Sequence, residues 1–360
     1  MICLGETRVT KLVVALSGGV DSSVAAALLV KQGYEVTGVT MRLWSEPGCE
    51  HENRCCTPET RRIAEQVAEK LNIPFKILDA EEVFRNQVVQ AFLDGYQQGE
   101  TPNPCIFCNR YVKWGFLLSF AESIGAPFIA TGHYARITRA ENGLYELWKG
   151  VDPSKDQAYM LSLLNQELLA HSIFPLGNYY KVQTRQIAQD MGLPAANQPE
   201  SQDLCFLGES DYRVFLRKYV PQVVQPGLIE NQDGKVLGEH QGLAFYTIGQ
   251  RKGLPSSTRP LYVLEKRLHE NVLMVGFLEE LGRETFLAYP VNWIAGEIPA
   301  EPIQAEVKIR FKAQPVPSLV TPKEDGSIHV RLSHPLRDIS AGQMAVLYKG
   351  DQVLGGGLIR

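Results

Sequence analysis

Apolar and polar positions fall into two textures along the chain. Lys11 to Leu16 is a short, apolar, β-branched run of the kind that makes a buried strand. Ser17-Gly18-Gly19 follows as a turn. The apolar run Val24 to Val30 then reads as a helix, with Asp21 and Ser22 as N-caps and Gly33 as its stop. Tyr34 to Leu43 predicts a second strand. Thr57 caps a further helix that has Pro58 at its first position and runs to about Leu71. Phe75 to Leu78 predicts a third strand. Glu81 to Tyr96 and Lys113 to Ile124 carry helical periodicity, and Phe128 to Ala130 is a strand that enters Thr131-Gly132-His133. This βαβα alternation predicts an α/β domain with a parallel sheet covered on both faces.

Beyond residue 210 the texture changes. Asp211 to Tyr219 predicts a helix. Glycine and proline then punctuate short β-rich runs at Leu243 to Ile248, Leu261 to Leu264, Val272 to Val275, Ala305 to Phe311, Ile328 to Leu332 and Met344 to Tyr348. Such runs predict small sheets or barrels. The expected partition is 1–209, 210–281 and 282–360, with the second boundary at Leu281-Gly282.

Composition narrows the class. The 360 residues suffice for two or three domains. With 44% hydrophobic and 21% charged residues the chain is not disordered. The longest apolar run, Val24 to Val30, is far short of the ~20 residues that span a bilayer. Met1 to Glu6 has no cationic stretch followed by an apolar one, so a cytoplasmic protein with no membrane partner is expected. The net charge of -4 excludes a globally basic nucleic-acid binder and confines any such site to a local patch. Seven cysteines, an odd number, argue against a disulfide framework and toward metal, sulfur or redox chemistry.

Ser17-Gly18-Gly19-Val20-Asp21-Ser22 lies between an apolar strand and a helix. Its glycines let backbone approach a ligand closely, its successive N–H groups can point at an anion, and the helix start adds a positive dipole end. Ser17 and Ser22 supply hydroxyl donors. Asp21 does not favour a bare phosphate, so a Mg²⁺ or capping role is expected of it. No Walker A string occurs.

The string Ser-Gly-Gly-x-Asp-Ser after a strand resembles the PP-loop ATP pyrophosphatases, which adenylate a carbonyl or carboxylate oxygen. Thr101-Pro102-Asn103-Pro104, Cys108-Asn109, Ala130-Thr131-Gly132-His133-Tyr134, Lys155-Asp156-Gln157 and Gly238 to Gly242 narrow the resemblance. So do Thr247 to Leu254 and Gly355-Gly356-Gly357. Together they are similar to the tRNA-specific 2-thiouridylase family, and they run in order along essentially the whole chain. The resemblance implies a Rossmann-like, adenine nucleotide alpha-hydrolase type N-terminal domain followed by two small β-rich domains, the last a β-barrel. It implies ATP and Mg²⁺ as cofactors and a tRNA anticodon loop with its wobble uridine as partner. The ATP site it implies is Ala15, Leu16, Ser17, Gly18, Gly19, Val20, Asp21, Ser22, Met41 and Gly132.

The implied reaction replaces the uracil C2 oxygen by sulfur. Oxygen leaves poorly from a pyrimidine, so ATP converts it to AMP, with pyrophosphate released. A persulfide can then deliver its outer sulfur while a second cysteine resolves the resulting bond. By resemblance Cys205 is the persulfide carrier and Cys108 its partner nucleophile, supplied by a sulfur donor or relay protein. Many members have aspartate three residues before that first cysteine; this chain has Cys105. Cys105, Cys108 and Cys205 together suit a four-iron four-sulfur cluster with an open position for free sulfide. A cluster-free route with Cys105 as bystander and a zinc site are the alternatives. Cys49, Cys55 and Cys56, with His51, fit no zinc spacing and are read as a loop near the ATP site.

Asn103, Pro104, Cys105, His133, Lys155, Asp156, Gln157 and Gln343 match family positions that meet tRNA. Arg310-Phe311-Lys312 offers two cations and an aromatic face, a set that holds an unstacked base. Arg251 and Lys252 sit on a turn suited to phosphates. Two other functions compete. A small-molecule PP-loop ligase leaves the three cysteines without a role. A non-catalytic, zinc-dependent RNA-binding protein leaves Ser17 to Ser22 unexplained.

Overall fold

The first strand, β1 (Lys11–Ala15), buries Leu12, Val13 and Val14 completely in the computed structural model, which describes residues 9–47, 57–200, 204–207 and 211–360. Cys3, Cys49, His51, Cys55 and Cys56 lie outside the described residues. The first helix, α1 (Val20–Lys31), has Gly19 as its N-cap. Asp21 and Ser22 therefore do not cap it, contrary to the sequence pattern. Ser22 and Ser23 turn their hydroxyls back onto the Gly19 carbonyl at 3.1 and 2.8 Å, which draws the helix start forward.

The strand β2 (Glu35–Arg42) and the helix α2 (Pro58–Leu71) follow. Thr57 caps α2 as expected, its Oγ1 accepting the Thr60 N–H at 3.0 Å. After β3 (Phe75–Asp79) comes α3 (Glu81–Phe84), which passes through wider π-type turns at Arg85–Val89 into α4 (Gln90–Gln97). A second long helix starts at Pro104, ahead of the expected Lys113. It comprises α5 (Pro104–Phe107), π-type turns over Cys108–Leu117, and α6 (Leu118–Ser123). Next come β4 (Phe128–Ala130), a hairpin of β5 (Ala135–Arg139) and β6 (Tyr145–Lys149), α7 (Gln166–Ala170), β7 (Ser172–Ile173) and α8 (Lys181–Asp190).

Contacts divide the chain into two compact units, residues 1–87 with 107–209, and residues 88–106 with 210–360. The first unit holds the expected parallel sheet, in the order β3-β2-β1-β4-β7. On one side Leu12, Val14 and Leu16 pack with Ala26, Leu29, Ile63 and Val67. Val20, Val24 and Ala27 of α1 pack with Tyr134, Leu176 and Ala188. The strand order turns around between β1 and β4. The loops after those two strands are Ser17 to Gly19 and Thr131 to His133, so they border the crevice in which such sheets take ligands.

The second unit contains α9 (Tyr212–Tyr219), capped by Asp211, and the strands β8 (Gly227–Glu230), β9 (Val236–His240), β10 (Tyr262–Arg267) and β11 (Val272–Gly276). These strands form one sheet in the order β10-β11-β8-β9. Leu243 to Ile248 is not a strand. Gly242 (φ 134°) and Gly249 (φ 83°) turn the chain at either end, and Leu243–Phe245 is a single 3-10 turn. Six strands follow: β12 (Arg283–Trp293), β13 (Ile303–Lys308), β14 (Val316–Pro322), β15 (Ile328–Leu336), β16 (Met344–Lys349) and β17 (Gln352–Ile359). They run in the order β12-β15-β14-β13-β16-β17 and close through β12–β17 pairing. The barrel interior is filled by Val307, Val320, Val330, Leu347 and their neighbours. Because β13 ends at Lys308, Arg310-Phe311-Lys312 lies on the turn beyond it and not on a strand. Among the described residues no helix is long and apolar enough to cross a membrane.

Candidate functional site

The loop after β1 is built around one hydroxyl. Ser22 Oγ accepts the Ser17 N–H at 3.1 Å, donates to the Gly19 carbonyl at 3.1 Å, and lies 3.2 Å from Ser17 Oγ. Gly18 has φ 75°, and a Cβ there would meet the Thr60 carbonyl oxygen at 2.2 Å, so the first turn of α2 backs the loop. Gly132 is close-packed in the same way. A Cβ would sit 2.7 Å from the Asp21 carbonyl carbon and 2.8 Å from Ser22 N. The close approach that this glycine permits is thus to the first turn of α1. Met41 is the penultimate residue of β2, beside the same crevice.

Asp21 is held by groups that no local motif announced. Lys181 Nζ, on the first residue of α8, donates to both of its carboxylate oxygens at 2.7 Å. Tyr134 OH donates to Oδ1 at 2.8 Å and lies 3.0 Å from Thr184 Oγ1. Burial, then the Asp21 charge, raises the Tyr134 phenol, so Tyr134 stays a neutral donor. The Lys181 side chain is only 10% exposed and that of Asp21 35%, so the pair sits at the crevice edge with the ammonium inward. The Lys181 N–H bonds Asp152 Oδ2 at 2.9 Å, which fixes the start of α8. Glu200 gathers three cations: Lys155 at 2.7 Å, and Lys181 and Arg185 at 3.5 Å each. The hydrogen bond from Lys155 is the main cause that lowers the Glu200 carboxyl.

His133 is buried, its Nδ1 2.7 Å from Thr131 Oγ1, with the Trp114 and Phe174 rings at 5.8 and 6.1 Å. Burial, helped by Lys113, holds its pKa well below the ordinary histidine value, so the imidazole is neutral near pH 7. Gln157 accepts the Tyr134 N–H at 3.0 Å, and Asp156 accepts the N–H groups of Gly150 and Ala158 at 3.1 Å. The Lys155-Asp156-Gln157 stretch is therefore tied to Tyr134 and to Glu200.

The family comparisons cover all of these elements. Residues 10–209 match the tRNA methyl transferase HUP domain, 213–277 the tRNA methyl transferase PRC-barrel domain, and 283–359 the aminomethyltransferase beta-barrel domain. The tRNA-specific 2-thiouridylase MnmA of Chloroflexus aggregans is 46% identical over 349 residues, 96% of this chain and 97% of that one. The protein of the same name from Magnetococcus marinus is 45% identical over 356 residues, covering 98% and 99%. That of Clostridioides difficile is 41% identical over 352 residues, covering 97% and 98%. The chain belongs to the tRNA-specific 2-thiouridylase family.

The three cysteines of the chain differ in setting. Cys105 is exposed on α5, and its N–H donates to Asn103 Oδ1 at 3.2 Å. Cys108 and Cys205 are half-buried. Cys108 opens the π-type turns, followed by buried Asn109, whose Nδ2 donates to the Met160 carbonyl at 2.9 Å. Cys205 opens a short 3-10 turn whose Phe206 is buried 5.9 Å from the ring of Phe84. The helix α3 that carries Phe84 also packs against the turns that begin at Cys108. Among the described residues, no group of three or more His, Cys, Asp or Glu side chains is gathered as metal ligands.

In the second unit, Arg310 is exposed, its guanidinium paired with Asp338, and Lys308 lies over the Phe311 ring at 5.6 Å. Arg310, His334, Arg337, Thr247 and Gln250 line an open cavity of about 610 Å³. Gln343 Nε2 donates to the Thr101 carbonyl at 2.6 Å, and Pro104 is buried at the start of α5. Sequence reasoning had missed Lys181, Glu200 and Arg185. Lys181 and Arg185 stand four apart on α8, a one-face spacing that could have flagged the pair had the helix been recognised.

Proposed function

We propose that this protein is a tRNA-uridine 2-sulfurtransferase that adenylates the C2 oxygen of the wobble uridine with ATP and then replaces that oxygen by sulfur. The observation that carries the proposal is the Ser17 to Ser22 loop at the turn-around of the sheet, with Lys181 seated on Asp21, in a chain related over its full length to 2-thiouridylases. ATP enters as the magnesium complex, a substrate whose metal travels with the triphosphate. The loop N–H groups and the start of α1 stabilise the phosphates. Lys181 and Asp21 hold a fixed charge pair at the pyrophosphate end, so charge that develops as pyrophosphate leaves meets an oriented dipole.

The C2 oxygen attacks the α-phosphorus, pyrophosphate departs, and the base carries AMP. The outer sulfur of a Cys205 persulfide attacks C2 and AMP leaves, giving a base–S–S–Cys205 link. The Cys108 thiolate attacks the Cys205 sulfur, so the 2-thio group is released and a Cys108–Cys205 disulfide forms. A thiol reductant of the cell then restores the pair, and a sulfur donor or relay protein recharges Cys205. His133, kept neutral, contacts the base as donor or acceptor without adding charge. Asn103, Pro104, Lys155, Asp156, Gln157, Arg310, Phe311 and Gln343 are the tRNA contacts, drawn from the parts 1–209 and 282–360.

Among the described residues no three or more His, Cys, Asp or Glu side chains are gathered as metal ligands, so the residues present do not fit a four-iron four-sulfur cluster. The pair of half-buried thiols, with Cys105 outward, supports the persulfide route. The reading is tested by incubating the protein with tRNA, ATP and a persulfide donor. Formation of AMP, pyrophosphate and 2-thiouridine in equal amounts is expected. ATP turnover without tRNA, or toward a small acceptor, would move the assignment to a ligase.

A further inference from the structure

We propose that Glu100 and Arg360, with Gly342, are positioning residues that lock the loop bearing Asn103, Pro104 and Cys105 onto the C-terminal barrel. The barrel then sets the rate of the tRNA reaction as well as the affinity for tRNA. This rests on the tRNA thiolation proposed above.

The loop between α4 and α5 reads Gly99-Glu100-Thr101-Pro102-Asn103-Pro104. Two prolines remove two N–H donors. Gly99 and Glu100 donate back to the Tyr96 and Gly95 carbonyls of α4 at 3.1 and 2.8 Å, and the backbone groups of Thr101 are satisfied from outside the loop. Thr101 N donates to the Ala341 carbonyl at 2.8 Å, and the Thr101 carbonyl accepts from Gln343 Nε2 at 2.6 Å. Thr101 Oγ1 lies 3.4 Å from Thr247 Oγ1. The loop is thereby bonded to the barrel segment 341–343 and touches the central motif at Thr247.

Charge reinforces this seat. Arg360 Nη1 pairs with Glu100 Oε1 at 2.5 Å, and the Glu100 side chain is only 12% exposed. Arg360 is itself fastened to β12, its N–H donating to the Leu287 carbonyl and its Nε to the Tyr289 carbonyl, both at 3.0 Å. Lys266 of β10 is within electrostatic reach of Glu100, whose charge favours its ammonium. One carboxylate at the root of the loop is thus paired with a cation from the barrel.

Packing leaves the loop little slack. Gly342 has φ 86°, and a Cβ there would lie 2.7 Å from Glu100 Cβ and 3.0 Å from Thr101 N. A Cβ at Gly99, φ 73°, would lie 2.5 Å from Leu268 Cδ2. Two residues beyond Thr101, Asn103 Oδ1 accepts the Cys105 N–H. A shift at Glu100 or Thr101 therefore moves the residues proposed to meet the target base. Misplacement of about 1 Å in a reacting geometry costs on the order of 10²-fold in rate.

The test uses the full chain, with steady-state thiolation at varied tRNA and ATP, and thermal unfolding beside it. Arg360→Ala, Glu100→Gln and Gly342→Ala should each lower kcat roughly 10- to 100-fold. KM for ATP should stay unchanged and KM for tRNA should move by much less than kcat. Arg360→Lys should recover most of the rate, and the Arg360→Ala/Glu100→Gln double variant should be no worse than the poorer single one. A raised KM at unchanged kcat would overturn the proposal in favour of a tRNA-affinity role. So would a rate loss that merely follows the folded fraction, or an Arg360→Lys variant no better than alanine. Absence of thiolation in the wild type would instead overturn the underlying function.

Discussion

Lys181 Nζ donates to both carboxylate oxygens of Asp21 at 2.7 Å, joining residues 160 positions apart. The bond makes the Ser17–Ser22 loop depend on α8, a helix outside the loop's own strand–turn–helix unit. It also gives Asp21 a role other than helix capping. With Tyr134 on the same carboxylate, the negative charge is fixed in direction by the fold.

Lys181→Met should accordingly lower the rate of tRNA-dependent AMP formation by about 10²- to 10³-fold, the usual scale for one oriented charge at a developing anion. Asp21→Ala should do the same. Tyr134→Phe, which removes one donor and leaves Lys181, should cost less. Burst measurements of pyrophosphate release check this. A normal burst in Lys181→Met would show that the ammonium serves folding only.

The parallel sheet and its glycine loop were legible because buried strands leave continuous apolar runs, and Thr57-Pro58 marks a helix start unmistakably. The helix α8 was not. Its stretch Lys181 to Asp190 is mostly polar, and it buries only Lys181, Thr184 and Ala188. Leu243 to Ile248 misled for the opposite reason, since an apolar run packs equally well as a turn when glycines at both ends permit positive φ. Lys181, Glu200 and Arg360 act through partners far along the chain, and such pairings have no spacing to read.

Lys266 gives a pH test in the second unit. Burial pulls its ammonium down to about 8, against the favourable pull of Glu100. The unfolded chain therefore binds this proton more tightly than the folded one. Stability contributed here rises with pH between about 8 and 10.5, by roughly 3 kcal/mol at most. Lys266→Met should be more stable than wild type at pH 7, and most of the gap should be gone by pH 10 in urea unfolding. A gap that does not depend on pH would contradict this origin.

Arg310 is exposed on a turn of an otherwise acidic chain, so it tests the local-patch argument. Arg310→Glu should weaken tRNA binding and leave ATP binding intact, and the slope of log affinity against log salt should fall in size by about one or more. Fluorescence anisotropy with labelled tRNA at several salt concentrations measures both. Salt-independent affinity in the wild type would remove the electrostatic basis of the contact.

The cysteines make the sharpest division. Cys108 and Cys205 are half-buried, and the segments that carry them both pack against α3, Cys205 through Phe206 on Phe84. Cys105 is exposed, with its N–H held by Asn103. On the persulfide route Cys108→Ala and Cys205→Ala should stop 2-thiouridine formation while tRNA-dependent pyrophosphate release continues, because adenylation precedes sulfur transfer. Cys205→Ala should fail to accept labelled sulfur. Cys108→Ala should accept it and stall with the base linked to Cys205, a species visible by mass spectrometry and cleaved by added thiol. Cys105→Ala should retain at least about a third of the rate, since its exposed thiol takes no part in any step. Phe84→Ala should disturb both segments at once, at a core cost of about 3–5 kcal/mol. Protein purified without oxygen should be active and nearly iron-free. Brown protein with about four irons per chain, losing colour and activity together in Cys105→Ala, would reverse the assignment and make all three thiols ligands.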